Sequence, residues 1–502
     1  MKKLDRWAMP LKGTAEEAYS TDATANDPYR YLIGFDNRFN SEALKGVLPF
    51  AQNTPQRVKY DLYSEQLNGS AVVSSRKDVR HVWMYRIRPS VAHGDFRASL
   101  DVNKHIESCF LSTNPNVESC PSQQAWDPFP LFNALGAHDH SASVDFVQGI
   151  RTIGGKGDAS LEDGLAIHIY SANADMDRHA FCNSDGEMLI LPQEGRLDVR
   201  TELGCMMLSP GEVLLIPSGI RFSVQLPDGP SRGYIHEAFA GRHQLPELGV
   251  IGANGLALDA HFCHPVASYL IDENPWAITY KFGGVLHSCE QNHSPFDVIG
   301  WSGNHVPVKY DLRNFINLVN SSKDQADPTL YCVFTVNSRK GTTALSEFLI
   351  FTEKWITAEG TFRPPYYHRN MSTEVMGLLF GQYGGSSHVL APGGLSYEAS
   401  YMPHGETYET WKDATTRELA PTKICKDTMA FMFHIGGPIK LTQWALHGAG
   451  AKTLHPSLPA QWESIRPHFF DHAEQIAAET AAAKLEVEKR QVTQDELMKS
   501  LQ

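Results

Sequence analysis

From Val144 to about Leu446 the chain is cut by glycine, proline and aspartate into apolar runs too short to make stable helices. Examples are Gly164-Leu-Ala-Ile-His-Ile-Tyr170, Gly186-Glu-Met-Leu-Ile-Leu191 and Glu212-Val-Leu-Leu-Ile-Pro217. In Arg221-Phe222-Ser223-Val224-Gln225-Leu226 polar and apolar residues alternate, as in a strand with one buried face. A second such stretch begins near Phe296 and includes Tyr331-Cys-Val-Phe-Thr-Val336, Glu347-Phe-Leu-Ile-Phe351 and Thr428-Met-Ala-Phe-Met-Phe433. Many short strands joined by tight turns predict sandwiches or barrels. The expected fold is therefore mainly β.

The flanks read differently. Residues 1–27 are polar and predict a flexible N-terminal segment, and residues 102–140, rich in Asn, Pro, Ser and Asp, predict a long irregular excursion. From Asp471 the chain becomes rich in Ala, Glu and Lys, which predicts a helix to about Arg490. Thr493-Gln494-Asp495-Glu496 reads as a capping box that opens one more turn. The expected organisation is a segment at 1–27, an N-terminal domain at 28–295, a C-terminal domain at 296–470 and a helical tail at 471–502.

Composition narrows the function. The 502 residues are 42% hydrophobic and 20% charged, ordinary for a water-soluble protein of more than one domain. With 44 Lys and Arg against 57 Asp and Glu the net charge is −13, which argues against nucleic acid as a partner. No uninterrupted apolar run reaches the length of a membrane span, and the polar start Met1-Lys2-Lys3-Leu4-Asp5-Arg6 has no apolar core behind it. None of the eight cysteines forms a CxxC pair, so free thiols and a reducing cytoplasm are the expectation, although Cys109 and Cys120 flank a loop that a bridge could close.

Two stretches look like halves of the cupin signature. Gly211-Glu-Val-Leu-Leu-Ile-Pro217-Ser-Gly219-Ile-Arg-Phe222 follows the second half, G-x5-P-x-G-x2-H, with Phe222 where cupins place a metal-binding His. The matching acidic stretch Asn183-Ser-Asp185-Gly186-Glu187 has no HxH, so the first barrel reads as a metal-free scaffold. His368-x-Asn370-x3-Glu374-x6-Gly381 follows the first half, H-x-H-x3-E-x6-G, with Asn370 in place of the second His. Alternation on a strand would put His368, Asn370, Ser372 and Glu374 on one face. With His404 from Pro403-His404-Gly405, the set becomes two imidazoles and one carboxylate, which leaves open positions on a metal for substrate and O₂. Among the 22 His, His168, His179, His236 and His264 read as polar groups of the core.

These motifs extend into a resemblance that covers residues 29 to 470. It is carried by Tyr31-Leu-Ile-Gly34-Phe-Asp-Asn37, Leu62-Tyr-Ser-Glu65-Gln-Leu-Asn-Gly-Ser-Ala71 and Asn183-Ser-Asp-Gly186. It continues through Ile251-Gly-Ala-Asn-Gly-Leu-Ala257, Arg363-Pro-Pro-Tyr-Tyr-His-Arg-Asn370 and Pro403-His-Gly405. On these residues the chain resembles the homogentisate 1,2-dioxygenase family. The resemblance implies two cupin-type jelly-roll barrels with additional sheets, and a homo-oligomer, trimer or hexamer. It also implies Fe(II) held by His368, Glu374 and His404, and O₂-dependent cleavage of a small hydroquinone-type aromatic ring. Tyr383 matches a family tyrosine that lines the substrate site.

The sequence departs from the family at three places. The family's acid/base His falls at Gln325 in Asp324-Gln325-Ala326-Asp327-Pro328, and an amide cannot take a proton. A second active-site His, six residues before the last ligand, is Glu398, which favours a neutral or cationic group over a carboxylate arm. The family's Trp-His-Gly-Asn is Trp301-Ser302-Gly303-Asn304 here. With all three ligands kept, these exchanges point to an altered hydroquinone-type substrate. Three other readings stay open. They are authentic homogentisate 1,2-dioxygenase, a non-enzymatic double-cupin binding or storage protein, and a cupin isomerase holding Zn²⁺ on the same ligands.

Overall fold

A ten-stranded sheet forms the middle layer of the molecule in a computed structural model that describes residues 7–8, 23–51, 53–99, 101–131, 143–239, 241–247, 257–314, 317–318, 331–338, 344–356, 367–382, 390–418, 420, 422–455 and 462–501. Its strands run in the order Tyr31–Ile33, Cys263–Pro265, Val308–Asp311, Glu212–Ile216, Glu187–Glu194, Ser231–Ala238, Asp163–Ala172, Ile150–Asp158, Lys440–Thr442 and Val117–Glu118. The apolar runs Leu165–Tyr170, Met188–Leu191 and Val213–Ile216 belong here, because both faces of this sheet are covered.

Alternation divides each run between two cores. Leu165, Ile167, Ile169, Leu189, Leu191, Val213 and Leu215 pack with Phe348, Val375, Phe431 and Phe433 of an eight-stranded sheet. Tyr170, Met188, Ile190, Leu214, Ile216 and Ile235 point the other way, onto Phe181, Val199, Phe222 and Val224 of a seven-stranded sheet. Each fully buried side chain of this kind contributes ~1.5–3 kcal/mol, so the middle sheet is stable only with both neighbours present. Gly211 (φ 91°) and Gly219 (φ 81°) take the left-handed conformations that the turns of the cupin-like motif require.

The expected mainly β architecture with several sheets and a C-terminal helix is the one that forms, with its sheets, among the described residues, not closed into two separate barrels. The sheets lie against one another as open layers. Further sheets of four and two strands complete the β structure among the described residues. Strands Val298–Gly303 and Val308–Asp311 pair with His81–Arg86 and Glu212–Ile216. The residues just after 295 are thus tied to strands of the N-terminal half. Phe222 is fully buried and packs edge-on against Phe181 at 5.6 Å between ring centroids, filling the place of the cupin metal ligand with apolar volume.

The tail differs from the expectation at one point. Ala473–Ser500 is a single helix with no buried residue. Thr493 does not cap a new turn; its Oγ1 donates to the carbonyl of Lys489 within the continuing helix. Strong helix formers on both sides of Thr493 outweigh its capping preference. No helix among the described residues is long and apolar enough to cross a membrane. All eight cysteines are free thiols, Cys109 and Cys120 included.

The four core histidines each have partners. His168 bonds Thr152 and Glu237, His179 bonds Asp145 and Thr279, His236 bonds Ser346 and His243, and His264 lies between the carbonyls of Pro307 and Gly34.

Candidate metal centre

The eight-stranded sheet runs His243–Gln244, Tyr331–Asn337, Ala344–Ile356, Thr422–Gly436, Ser372–Phe380, Leu395–Glu398 and Gln124–Trp126, with Asn317–Leu318 paired to Ala344–Ile356. Val375 and Leu379 face the middle sheet. Glu374 therefore stands on the opposite face, the side of Met376, Leu378 and Met432.

The strand that carries Glu374 begins only at Ser372. Asn370 Oδ1 accepts from the backbone N–H of Ser372 at 2.9 Å, an Asx turn that bends the chain before it becomes regular. The four-residue alternation expected for His368, Asn370, Ser372 and Glu374 is replaced by this turn, yet it brings the same groups together. Asn370 Nδ2 donates to Glu374 Oε1 at 2.7 Å, and His368 Nε2 lies 3.4 Å from the same oxygen.

A backbone pair supplies the third group. His368 N–H donates to His404 O at 2.9 Å and His404 N–H to His368 O at 3.1 Å. The Tyr401 N–H donates to Asn370 O at 2.7 Å, so segments 367–371 and 401–405 run side by side. The two imidazole centroids are 4.2 Å apart. His368, Glu374 and His404 thereby offer one ligand atom each, all within 4.8 Å of one another. Gly405 is needed for this approach, since a Cβ there would sit 2.6 Å from Tyr367 Cδ1.

The hydrogen bonds suit a cation. His404 Nδ1 donates to Met402 O at 3.0 Å, which fixes the tautomer and leaves the Nε2 lone pair aimed at the cluster. That Nε2 is buried and faces Glu374 Oε1 at 3.5 Å, too long to satisfy it fully. An imidazole nitrogen so placed beside a carboxylate and a second imidazole is the donor set of an open 2-His-1-carboxylate centre.

Electrostatics agree. Burial works against the Glu374 carboxylate, but the neighbouring His368, His404 and Asn370 hold its pKa well below the usual range. Burial likewise disfavours the His404 imidazolium, yet Glu374 and then Glu398 raise its pKa to about 8. Glu398 stands directly opposite Glu374 in the sheet, and burial followed by the Glu374 charge pushes it up to about 7.

The other candidates are distributed unevenly. Gln325 and Tyr383 lie outside the described residues. Ser302 sits in the four-stranded sheet, bonded to Asn40, away from the sheet that carries the site. Sequence reasoning missed Gln123, whose Nε2 donates to Glu398 Oε1 at 2.7 Å. Gln123 falls inside the stretch read as an irregular excursion, and only the apolar pair Ala125-Trp126 beside it hinted at a strand.

A mainly β protein that gathers His368, Glu374 and His404 beside one sheet face defines the class: a β scaffold whose clustered side chains could hold a metal ion. The particular family follows from comparison. The N-terminal model of homogentisate 1,2-dioxygenase matches residues 30–312 and its C-terminal model residues 313–469. Homogentisate 1,2-dioxygenase of Emericella nidulans is 40% identical over 454 residues, 90% of this chain and 98% of that protein. Those of Caenorhabditis elegans and Arabidopsis thaliana are each 41% identical, over 88% of this chain and 98% and 93% of their own. The chain belongs to the homogentisate 1,2-dioxygenase family.

Proposed function

We propose that this protein is a non-haem Fe(II) dioxygenase that opens the aromatic ring of a hydroquinone-type substrate. His368, Glu374 and His404 would hold the iron, and O₂ would be the co-substrate. The observation that carries the reading is the convergence of His368, Glu374 and His404, with the buried Nε2 of His404 and Nε2 of His368 within 3.5 Å and 3.4 Å of Glu374 Oε1. Family membership at about 40% identity supports the reaction class. When bound, the metal supplies the one-electron chemistry that lets O₂ react with the ring. The protein's own part is to present three ligands on one side, orient the substrate and exclude water.

Three residues bear on the substrate. Gln325, at the family's acid/base position, can hydrogen-bond a ring hydroxyl but cannot accept its proton, and Tyr383 would line the substrate site. Glu398 is buried on the same sheet face as Glu374 and is proposed to contact the substrate. A second reading, authentic homogentisate 1,2-dioxygenase that tolerates Gln325 and Glu398, is favoured by the coverage of the relatives.

Metal analysis and O₂ uptake decide between them. Fe(II)-loaded protein is assayed with homogentisate, gentisate and larger hydroquinones. Uptake with a hydroquinone but not with homogentisate supports altered substrate choice, and fast uptake with homogentisate supports the second reading. Protein that binds no iron, or consumes no O₂ with any of them, removes the dioxygenase reading. Sizing of the same protein tests whether it is a homo-oligomer, as the reading expects.

A further inference from the structure

The last strand of the eight-stranded sheet comes from the first third of the chain. Gln124–Trp126 pairs antiparallel with Leu395–Glu398, next to the strand that carries Glu374. The attachment is firm. Trp126 is buried and its Nε1 donates to Ala445 O at 3.1 Å, while Tyr397 OH donates to Cys120 O at 2.7 Å. One residue ahead of this strand, Gln123 reaches Glu398. A distant segment thus delivers one amide to one carboxyl group beside the candidate metal ligands.

The geometry gives that contact a purpose. The amide donor on Oε1 restrains the carboxyl group from one side. Glu398 is 8% exposed and stands opposite Glu374 on the neighbouring strand. A carboxyl group so placed accepts a hydrogen bond from a neutral donor and repels another carboxylate.

On the reading under Proposed function, we propose that Glu398, oriented by Gln123, selects a hydroquinone whose side arm carries an uncharged hydrogen-bond donor, a hydroxyl group, and disfavours an arm that ends in a carboxylate. Glu398 is the specificity determinant and Gln123 is a positioning residue that acts through it.

The test uses full-length Fe(II)-loaded protein and two probes, homogentisate and its alcohol counterpart, hydroxyethyl-hydroquinone. Anaerobic binding is measured by calorimetry, and O₂ uptake is measured separately. A hydrogen bond to a charged group corresponds to ~10- to 100-fold in affinity, so the alcohol is expected to bind at least ~10-fold more tightly than the acid. Glu398→Gln should collapse that ratio. Gln123→Ala should raise the KM for the alcohol with little change in kcat and narrow its preference over homogentisate, a split that general loosening of the fold would not produce. Gln123→Asn should fall between. Should Glu398→Gln not fold, the Gln123 variants carry the test alone.

Homogentisate bound as tightly as the alcohol, a preference that survives Glu398→Gln, or no binding of either probe would overturn the proposal. A preference seen in binding without O₂ uptake would leave the recognition standing and remove the dioxygenase reading instead.

Discussion

Glu374 and Glu398 stand directly opposite each other on neighbouring antiparallel strands, and their environments displace them in opposite directions. Burial disfavours both charges. The neighbouring His368, His404 and Asn370 overcome it at Glu374, whereas Glu398 feels burial and the Glu374 charge together and moves up to about 7. Two carboxyl groups on one face with divergent acidities are the arrangement by which a site keeps one charged ligand and one adjustable neighbour.

The first prediction concerns protons and metal. A cation at the cluster favours the Glu398 carboxylate and needs a neutral His404, whose metal-free pKa is raised to about 8. Below that pH, binding must displace the proton on His404. Fe(II) or Zn²⁺ affinity should therefore rise with pH and flatten above about 8. Calorimetry in buffers of different ionisation enthalpy should register net proton release at neutral pH, and less of it in Glu398→Gln. Affinity independent of pH across this range would exclude His404 as a ligand.

Asn370 takes the place of the cupin's second His, and its amide is bonded to Glu374 rather than aimed at the metal position. Loss of a group that orients a ligand weakens metal binding by ~10- to 100-fold. Asn370→Ala should do so while the melting temperature stays near that of the parent. Glu374→Ala and His404→Ala should retain no stoichiometric iron. Metal content after dialysis against a chelator separates these cases, and undiminished retention in Asn370→Ala would mean that Glu374 is held without it.

Much of this site was legible in advance because ligand identity and spacing are local. His368, Glu374 and His404 all lie within two short segments whose Gly and Pro residues mark the turns. Strand type was legible for the same reason, since alternation is visible in Arg221–Gln225. Three things were hidden. The burial of the middle sheet on both faces depends on partners far apart in sequence, such as Ile167 and Phe433. The Asx turn at Asn370 overrode simple alternation, because one side-chain acceptor competes with the strand ladder. Gln123 reaches Glu398 from 275 residues away, and no local pattern encodes that contact.

Gly405 tests how closely the two ligand segments must approach. A methyl group there would lie 2.6 Å from the Tyr367 ring and 3.0 Å from the Tyr367 main chain, so either the ring or the backbone pair of His368 and His404 must move. Overpacking of this kind costs ~1–3 kcal/mol. Gly405→Ala should lower both stability and iron retention. Tyr367→Ala in the same chain should restore only part of each, because it removes the ring and leaves the main chain in place. Iron retention unchanged in Gly405→Ala would show that the ligands tolerate separation of the two strands.

Lys281 offers a test away from the metal. Its ammonium is buried between Glu237 at 2.7 Å and Asp185 at 2.9 Å, in the layer where Phe222 replaces a cupin ligand. Burial disfavours the Glu237 carboxylate, but Lys281 and then His168 hold its pKa down at about 2. Because this folded value lies below the 4.5 of an unperturbed glutamate, Glu237 contributes stability above pH 4.5 that is lost as pH falls toward about 2. Removing one partner of a buried pair costs ~3–5 kcal/mol, so Lys281→Met should be strongly destabilised at neutral pH. The sign of its pH dependence should also reverse. Without the ammonium, burial raises the Glu237 pKa above the unfolded value, and mild acid, which neutralises the carboxyl group, should stabilise the variant while it leaves the parent unchanged or weaker. Chemical denaturation of both proteins at neutral pH and near pH 5 reads this directly. Parallel pH profiles would mean that Glu237 keeps its charge without Lys281.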